Sequence, residues 1–167
     1  MLFIKDKKKL QSKEPVNHNV MDLKKRIKVE KNFYLDEFIP KELYIAHQEY
    51  QLRRLIDERL FKLMQVIRDR HGARTINNWW NGKGRNYSGY RQVGTSYYSL
   101  FSCHSNGRAT DSIGKTTAPE IWEDIRKNYN TIYKPLGLTI IEVGKEIDWL
   151  HVGLGATNLN GLFEIKM

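Results

Sequence analysis

The stretch Ser102-Cys103-His104-Ser105-Asn106-Gly107-Arg108-Ala109-Thr110-Asp111 holds a histidine and a carboxylate with six residues between them. That spacing is too long for one helical turn and suits two ligands brought together by a bend or short hairpin. A second acid and histidine stand close together near the C-terminus, in Asp148-Trp149-Leu150-His151. Zinc takes histidine nitrogen and carboxylate oxygen, and a catalytic zinc keeps three protein ligands and an open position for water. His104, Asp111 and His151 supply such a set, which leaves Asp148 as a proton carrier. Bound zinc lowers the pKa of its water to about 7 and polarises a carbonyl. A nearby carboxylate takes the water's proton and returns it to a leaving amine. Each residue alone also has a plainer use. His104 would be a hydrogen-bonded loop histidine, Asp111 a turn or cap residue, and His151 a satisfied core histidine. Cys103, next to His104, points to the opposite side of an extended segment and reads as a buried structural thiol.

These residues need elements to position them. Leu52, Leu55, Ile56, Leu60, Leu63, Met64 and Ile67 recur at i, i+3, i+4 and predict one helix over residues 51–70. Arg70, His71 and Gly72 close it, with cations at the negative end of the dipole and glycine at the stop. His71 is therefore read as a dipole partner and not a ligand. A short helix is expected over 41–48 and a strand over 73–80, followed by a turn-rich loop at 81–86. Thr117 caps a helix from Ala118, with Pro119 in its first turn and Ile121, Trp122, Ile125 and Tyr129 on its buried face. Strands follow at 138–143, 147–153 and 162–165, with a turn at 158–161 before the last. Helices first and strands late predict an α+β fold, with a small antiparallel sheet carrying the site and N-terminal helices flanking it.

The chain has 167 residues, enough for one domain, and 40% of them are hydrophobic, enough for a core. One cysteine excludes an internal disulfide and a thiolate-rich zinc finger. No apolar run reaches membrane-spanning length. The start, Met1-Leu2-Phe3-Ile4-Lys5, is charged too early for a secretory signal, so synthesis in a cytoplasm is expected. The net charge of +9 is uneven. Residues 1–31 hold ten Lys/Arg against four Asp/Glu. They are read as a basic, partly ordered extension with weak helical spacing over 20–29, and residues 32–167 as the domain. Such an extension serves as a solubilising tail or as a contact to nucleic acid, an anionic wall polymer or a virion.

Taken together, Ser102-x-His104-x-x-Gly107-x-Ala109-x-Asp111, Asp148-x-x-His151 and the upstream Ser88-Gly89-Tyr90-Arg91 resemble a known family. It is the zinc D-Ala-D-Ala carboxypeptidases and phage L-alanyl-D-glutamate endopeptidases, of the hedgehog/D,D-peptidase fold. The similarity runs in order over residues 38–165. It implies zinc bound by His104, Asp111 and His151, and Asp148 as general base and later acid. It implies that Arg91 contacts the substrate carbonyl or carboxylate and the developing oxyanion, and that Ser102 contacts substrate. Many members carry Glu where this chain has Asp148, and Gly153 stands where relatives often have an acid. On an ideal strand, positions three apart face opposite sides. Asp148 thus reaches the metal water only from ahead of the regular strand or from a bend, with Glu142 and Glu146 as the next carboxylates. The implied function is a zinc peptidase of peptidoglycan stem peptides, a phage lysin or virion-associated wall hydrolase acting after release or as part of a virion. The alternative is a non-catalytic virion structural or wall-binding protein on the same fold.

Overall fold

The computed structural model describes residues 24–155 and 160–167. Most of the basic extension, and half of the turn expected at 158–161, lie outside the described residues. The order is β1 (Lys28–Glu30), β2 (Phe33–Tyr34), α1 (Lys41–Ala46), α2 (Glu49–Arg53), α3 (Arg59–His71), β3 (Arg74–Thr75), β4 (Ala109–Gly114), α4 (Ala118–Asn128), β5 (Ile140–Val143), β6 (Leu150–Gly153) and β7 (Phe163–Lys166). The class is α+β, as the order of patterns predicts. β1 and β2 form a small antiparallel ribbon, and the other five strands form one sheet in the order β3-β4-β6-β5-β7. That sheet is antiparallel except at its far edge, where β7 runs parallel to β5.

Three expectations change on the structure. The helix predicted over 51–70 is two helices, α2 and α3, separated at residues 54–58. The apolar spacing carries through the break, so Leu52, Ile56, Leu60, Leu63, Met64 and Ile67 are all still buried. The break arises because the Asp57 N–H leaves the helical ladder and donates to Gly107 O at 2.9 Å. Asp57 then caps α3 by accepting the Arg59 N–H at 3.2 Å. The strand expected over 73–80 is only β3, followed by a 3-10 turn at Trp79–Asn81. Weak helical spacing over 20–29 does not produce a helix in its described part, which runs extended into β1. There Arg26 forms a two-pronged ion pair with Asp36, at 3.0 and 2.7 Å, and Leu35 N donates to Ile27 O. Residues 24–31 thus pack on the domain, and the expected boundary at residue 32 falls inside the β1–β2 ribbon.

The helix expected from Ala118 is present, with Glu120 Oε2 accepting both the Thr117 N–H and hydroxyl at 2.8 Å. Its faces separate as the spacing requires, with Ile121, Trp122 and Ile125 buried. Asp124 ties the end of α3 to α4. It accepts from Arg70 Nε and His71 Nε2, both at 2.9 Å, and from Asn128 Nδ2 and the Tyr133 hydroxyl. His71 is thus bound to a carboxylate and is not part of the His104–Asp111–His151 group.

Register decides which face of the sheet carries Asp111 and His151. Asp111 pairs directly with His151, and Thr110 with Val152. Strand alternation puts Thr110, Leu150, Val152 and Ile141 on one face. That face meets α3, where the Thr110 hydroxyl donates to Met64 Sδ at 3.2 Å. Asp111 and His151 share the other face.

Candidate metal centre

His104, Asp111 and His151 converge into a group whose ligating atoms all lie within 4.8 Å of one another. Two of them are fixed by the β4–β6 register. The third comes from a tight turn. Gly107 N donates to His104 O at 3.1 Å and Arg108 N to Cys103 O at 2.8 Å. Gly107 has φ +66°, and a Cβ on it would lie 1.7 Å from Leu55 O. The His104 loop is therefore seated in the α2–α3 break, and only glycine fits there. A second close approach involves Gly89, where a Cβ would lie 2.2 Å from Phe38 O. Tyr90 N donates to that same carbonyl at 2.8 Å. This fixes Ser88-Gly89-Tyr90-Arg91 over the helical layer.

The Gly89 carbonyl accepts from His104 Nδ1 at 2.8 Å. That places the ring proton on Nδ1 and turns the Nε2 lone pair toward the cluster. His104 Nε2 lies 3.3 Å from His151 Nδ1 and 3.3 Å from Asp111 Oδ1, and His151 Nδ1 lies 2.8 Å from the same oxygen. Burial lowers the pKa of His104 and favours its neutral ring. Burial alone would raise the pKa of Asp111, but the two histidines outweigh it and hold the carboxyl well below the usual range. A neutral His104 ring then presents a lone pair to an ionised carboxylate oxygen. The arrangement is favourable when a cation sits between them. Tetrahedral zinc with ~2.0–2.1 Å bonds separates its ligand atoms by roughly 3.3 Å, the spacing of His104 Nε2 from both partners, while His151 Nδ1 and Asp111 Oδ1 stand closer, at 2.8 Å. The donor set and its buried setting fit a metal ion.

Asp111 is held from several sides. Its second oxygen accepts from an Arg91 terminal nitrogen at 2.6 Å, its N–H donates to Ser88 O at 2.7 Å, and Arg85 donates to its carbonyl at 3.3 Å. Arg91 is itself fixed by Tyr87 O at 3.0 Å. The guanidinium implied to meet substrate thus already grips the ligand carboxylate. A polar cavity of about 270 Å³ opens beside this pair, lined by Tyr87, Ser88, Arg91, Tyr97, Asp111 and Trp149 among others. Tyr97 stacks on Tyr87 at 5.3 Å. A larger groove of about 970 Å³ runs between α4 and the β5–β7 edge, and none of the three ligands lines it.

The remaining residues singled out in the sequence fall as follows. Ser102 Oγ accepts the His104 N–H at 3.2 Å, so it stiffens the ligand turn. Asp148 is exposed and precedes β6, with a bend at Trp149. Glu142, on β5, lies with Oε1 3.8 Å from His151 Nδ1. Continuing the β5–β6 register puts Glu142 beside His151, so Asp111, His151 and Glu142 form a row across three strands. Glu146 is exposed in the β5–β6 loop. Gly153 is a strand residue within β6 and not part of a turn. Cys103 is half-buried with a free thiol. The Gly89 carbonyl and the Arg85 contact were missed in the sequence, because backbone acceptors leave no mark on residue type. No family model, curated protein or solved structure matches the chain.

Proposed function

We propose that this chain is a zinc peptidase that hydrolyses peptide bonds in peptidoglycan stem peptides. The observation that carries the reading is the convergence of His104 Nε2, His151 Nδ1 and Asp111 Oδ1 around one point, with His104 Nδ1 already committed to Gly89. Zinc held there supplies a Lewis acid and an activated water. The residue motifs shared with the D,D-peptidase and L-alanyl-D-glutamate endopeptidase family supply the substrate class.

The chain's own groups divide the remaining work. Arg91 keeps its charge at any working pH and stands at the cavity wall beside Asp111. It holds the ligand carboxylate and offers its guanidinium edge to a substrate carbonyl or carboxylate. Asp148, at the bend ahead of β6, carries the proton from water to the leaving amine. Glu142 Oε1 lies 3.8 Å from His151 Nδ1, the nitrogen turned toward the metal, and so adds negative charge on the metal side of the ring. Ser102 acts through the His104 turn. Purified peptidoglycan incubated with the zinc-loaded chain is expected to gain free amino groups, and the His104→Ala chain to produce none. Equal release by both would overturn the reading.

A further inference from the structure

A second polar cavity, of about 290 Å³, is lined by the β1–β2 ribbon, β3 and the Trp79–Asn81 turn, and one loop runs from its lining into that of the metal cavity. That loop follows Trp79–Asn81. Asn81 and Lys83 line the second cavity, while Gly84 and Arg85 line the metal cavity. Arg85 joins them, because its N–H donates to Asn78 Oδ1 at 2.9 Å and its guanidinium to Asp111 O.

The lining combines two aromatic rings with planar polar groups of both signs. Trp80 is half-buried, with Trp79 and Tyr44 at centroid distances of 5.5 and 5.7 Å and the Arg26 guanidinium over its ring at 5.7 Å. Tyr34 is covered on one face by Arg26 at 4.0 Å. The Arg26 guanidinium is already satisfied by Asp36 and lies 3.9 Å from Glu37. An anion here would face Asp36 and Glu37, and a cation would face Arg26, Arg68 and Lys83. A neutral ligand rich in hydroxyls and amides meets neither repulsion. Among the described residues, the Asn32 and Asn81 side-chain amides and Asn78 Nδ2 have no hydrogen-bond partner. A sugar ring offers a C–H face to an aromatic and hydroxyl pairs to planar side chains.

We propose that this cavity binds one or two sugars of an N-acetylated amino-sugar polymer. The part of the Trp80 ring left open by Arg26, Trp79 and Tyr44 meets the sugar's C–H face, and Asn78, Asn81 and Glu37 are the hydrogen-bonding groups. The identity of the polymer rests on the peptidase reading above, since a peptidoglycan strand presents its peptide beside its sugar. The loop common to both linings then sets the glycan in one cavity and its stem peptide in the other.

The test is a titration of the full chain with a soluble β-1,4-linked tetramer of N-acetylglucosamine, with a chelator present, followed by tryptophan fluorescence and NMR. Saturable binding is expected, weakened at least about tenfold by Trp80→Ala and by Asn81→Ala. Asn81 is exposed, so its truncation leaves the fold in place even where loss of Trp80 disturbs it. Cleavage of a free stem peptide is expected to be unchanged in Asn81→Ala, and turnover of intact peptidoglycan to fall. Absence of saturable binding, or equal binding by the Asn81→Ala chain, would overturn the proposal. The titration needs no hydrolysis. Sugar binding without peptide cleavage would therefore sink the peptidase reading alone, and cleavage without sugar binding would sink this inference alone.

Discussion

Gly107 lies against the backbone of Leu55, so close that a Cβ on Gly107 would sit 1.7 Å from the Leu55 carbonyl oxygen. The contact joins the break between α2 and α3 to the turn that carries His104. Replacing Gly107 with Ala strains φ and pushes two backbones apart. The expected cost is about 2–4 kcal/mol of stability, read by chemical denaturation, together with weaker metal binding. A variant as stable as the parent would show that the loop is not seated in the break.

Much of the centre is legible in the sequence. His104, Asp111 and His151 stand in local patterns of polar residues and small spacers whose chemistry survives in one dimension. The break at 54–58 was not legible, because the apolar spacing runs straight through it and its cause is a bond from Asp57 to Gly107, far along the chain. β4 was missed for a similar reason, since Thr110 and Ser112 are buried on its core side where an apolar pattern would have shown a strand. Glu142 reaches His151 only through the β5–β6 register, so residue type could name it as an alternative carboxylate but not place it.

Asp148 and Glu142 are separable by substitution. Asp148→Asn is expected to lower kcat by about 10²–10⁴-fold and leave zinc affinity near that of the parent. Glu142→Gln is expected to lower zinc affinity several-fold, measured by competition with a chromogenic chelator, with a smaller loss in kcat. The reverse pattern would exchange the two roles.

Arg91 holds Asp111 at 2.6 Å. Arg91→Ala should weaken zinc binding by about 10–100-fold, the usual effect of losing a group that orients a ligand. Arg91→Lys keeps the charge but not the paired hold on Tyr87 O and Asp111, so it should recover only part of that affinity. Zinc affinity unchanged in Arg91→Ala would restrict the residue to substrate contact.

Glu37 links stability to pH. Burial, with Asp36 adding to it, raises its pKa to about 7 against the hydrogen bond from Tyr34 and the pull of Arg26. A carboxyl whose folded pKa is raised stabilises the protein fully below its unfolded pKa, and that contribution is lost as pH rises through about 7. The parent should therefore lose up to about 3 kcal/mol between pH 4.5 and 7.5 from this group. Denaturant melts across that range should show a shallower decline for Glu37→Gln. An identical slope in both chains would contradict the assignment.

Zinc-dependent cleavage of stem peptides is tested most directly by mass spectrometry of purified peptidoglycan after incubation with the full chain. The three-ligand centre predicts fragments with new termini inside the stem peptide, abolished by a chelator and restored by one equivalent of zinc per chain. Intact stem peptides in the presence of stoichiometric zinc, or cleavage that persists after the metal is stripped, would contradict it.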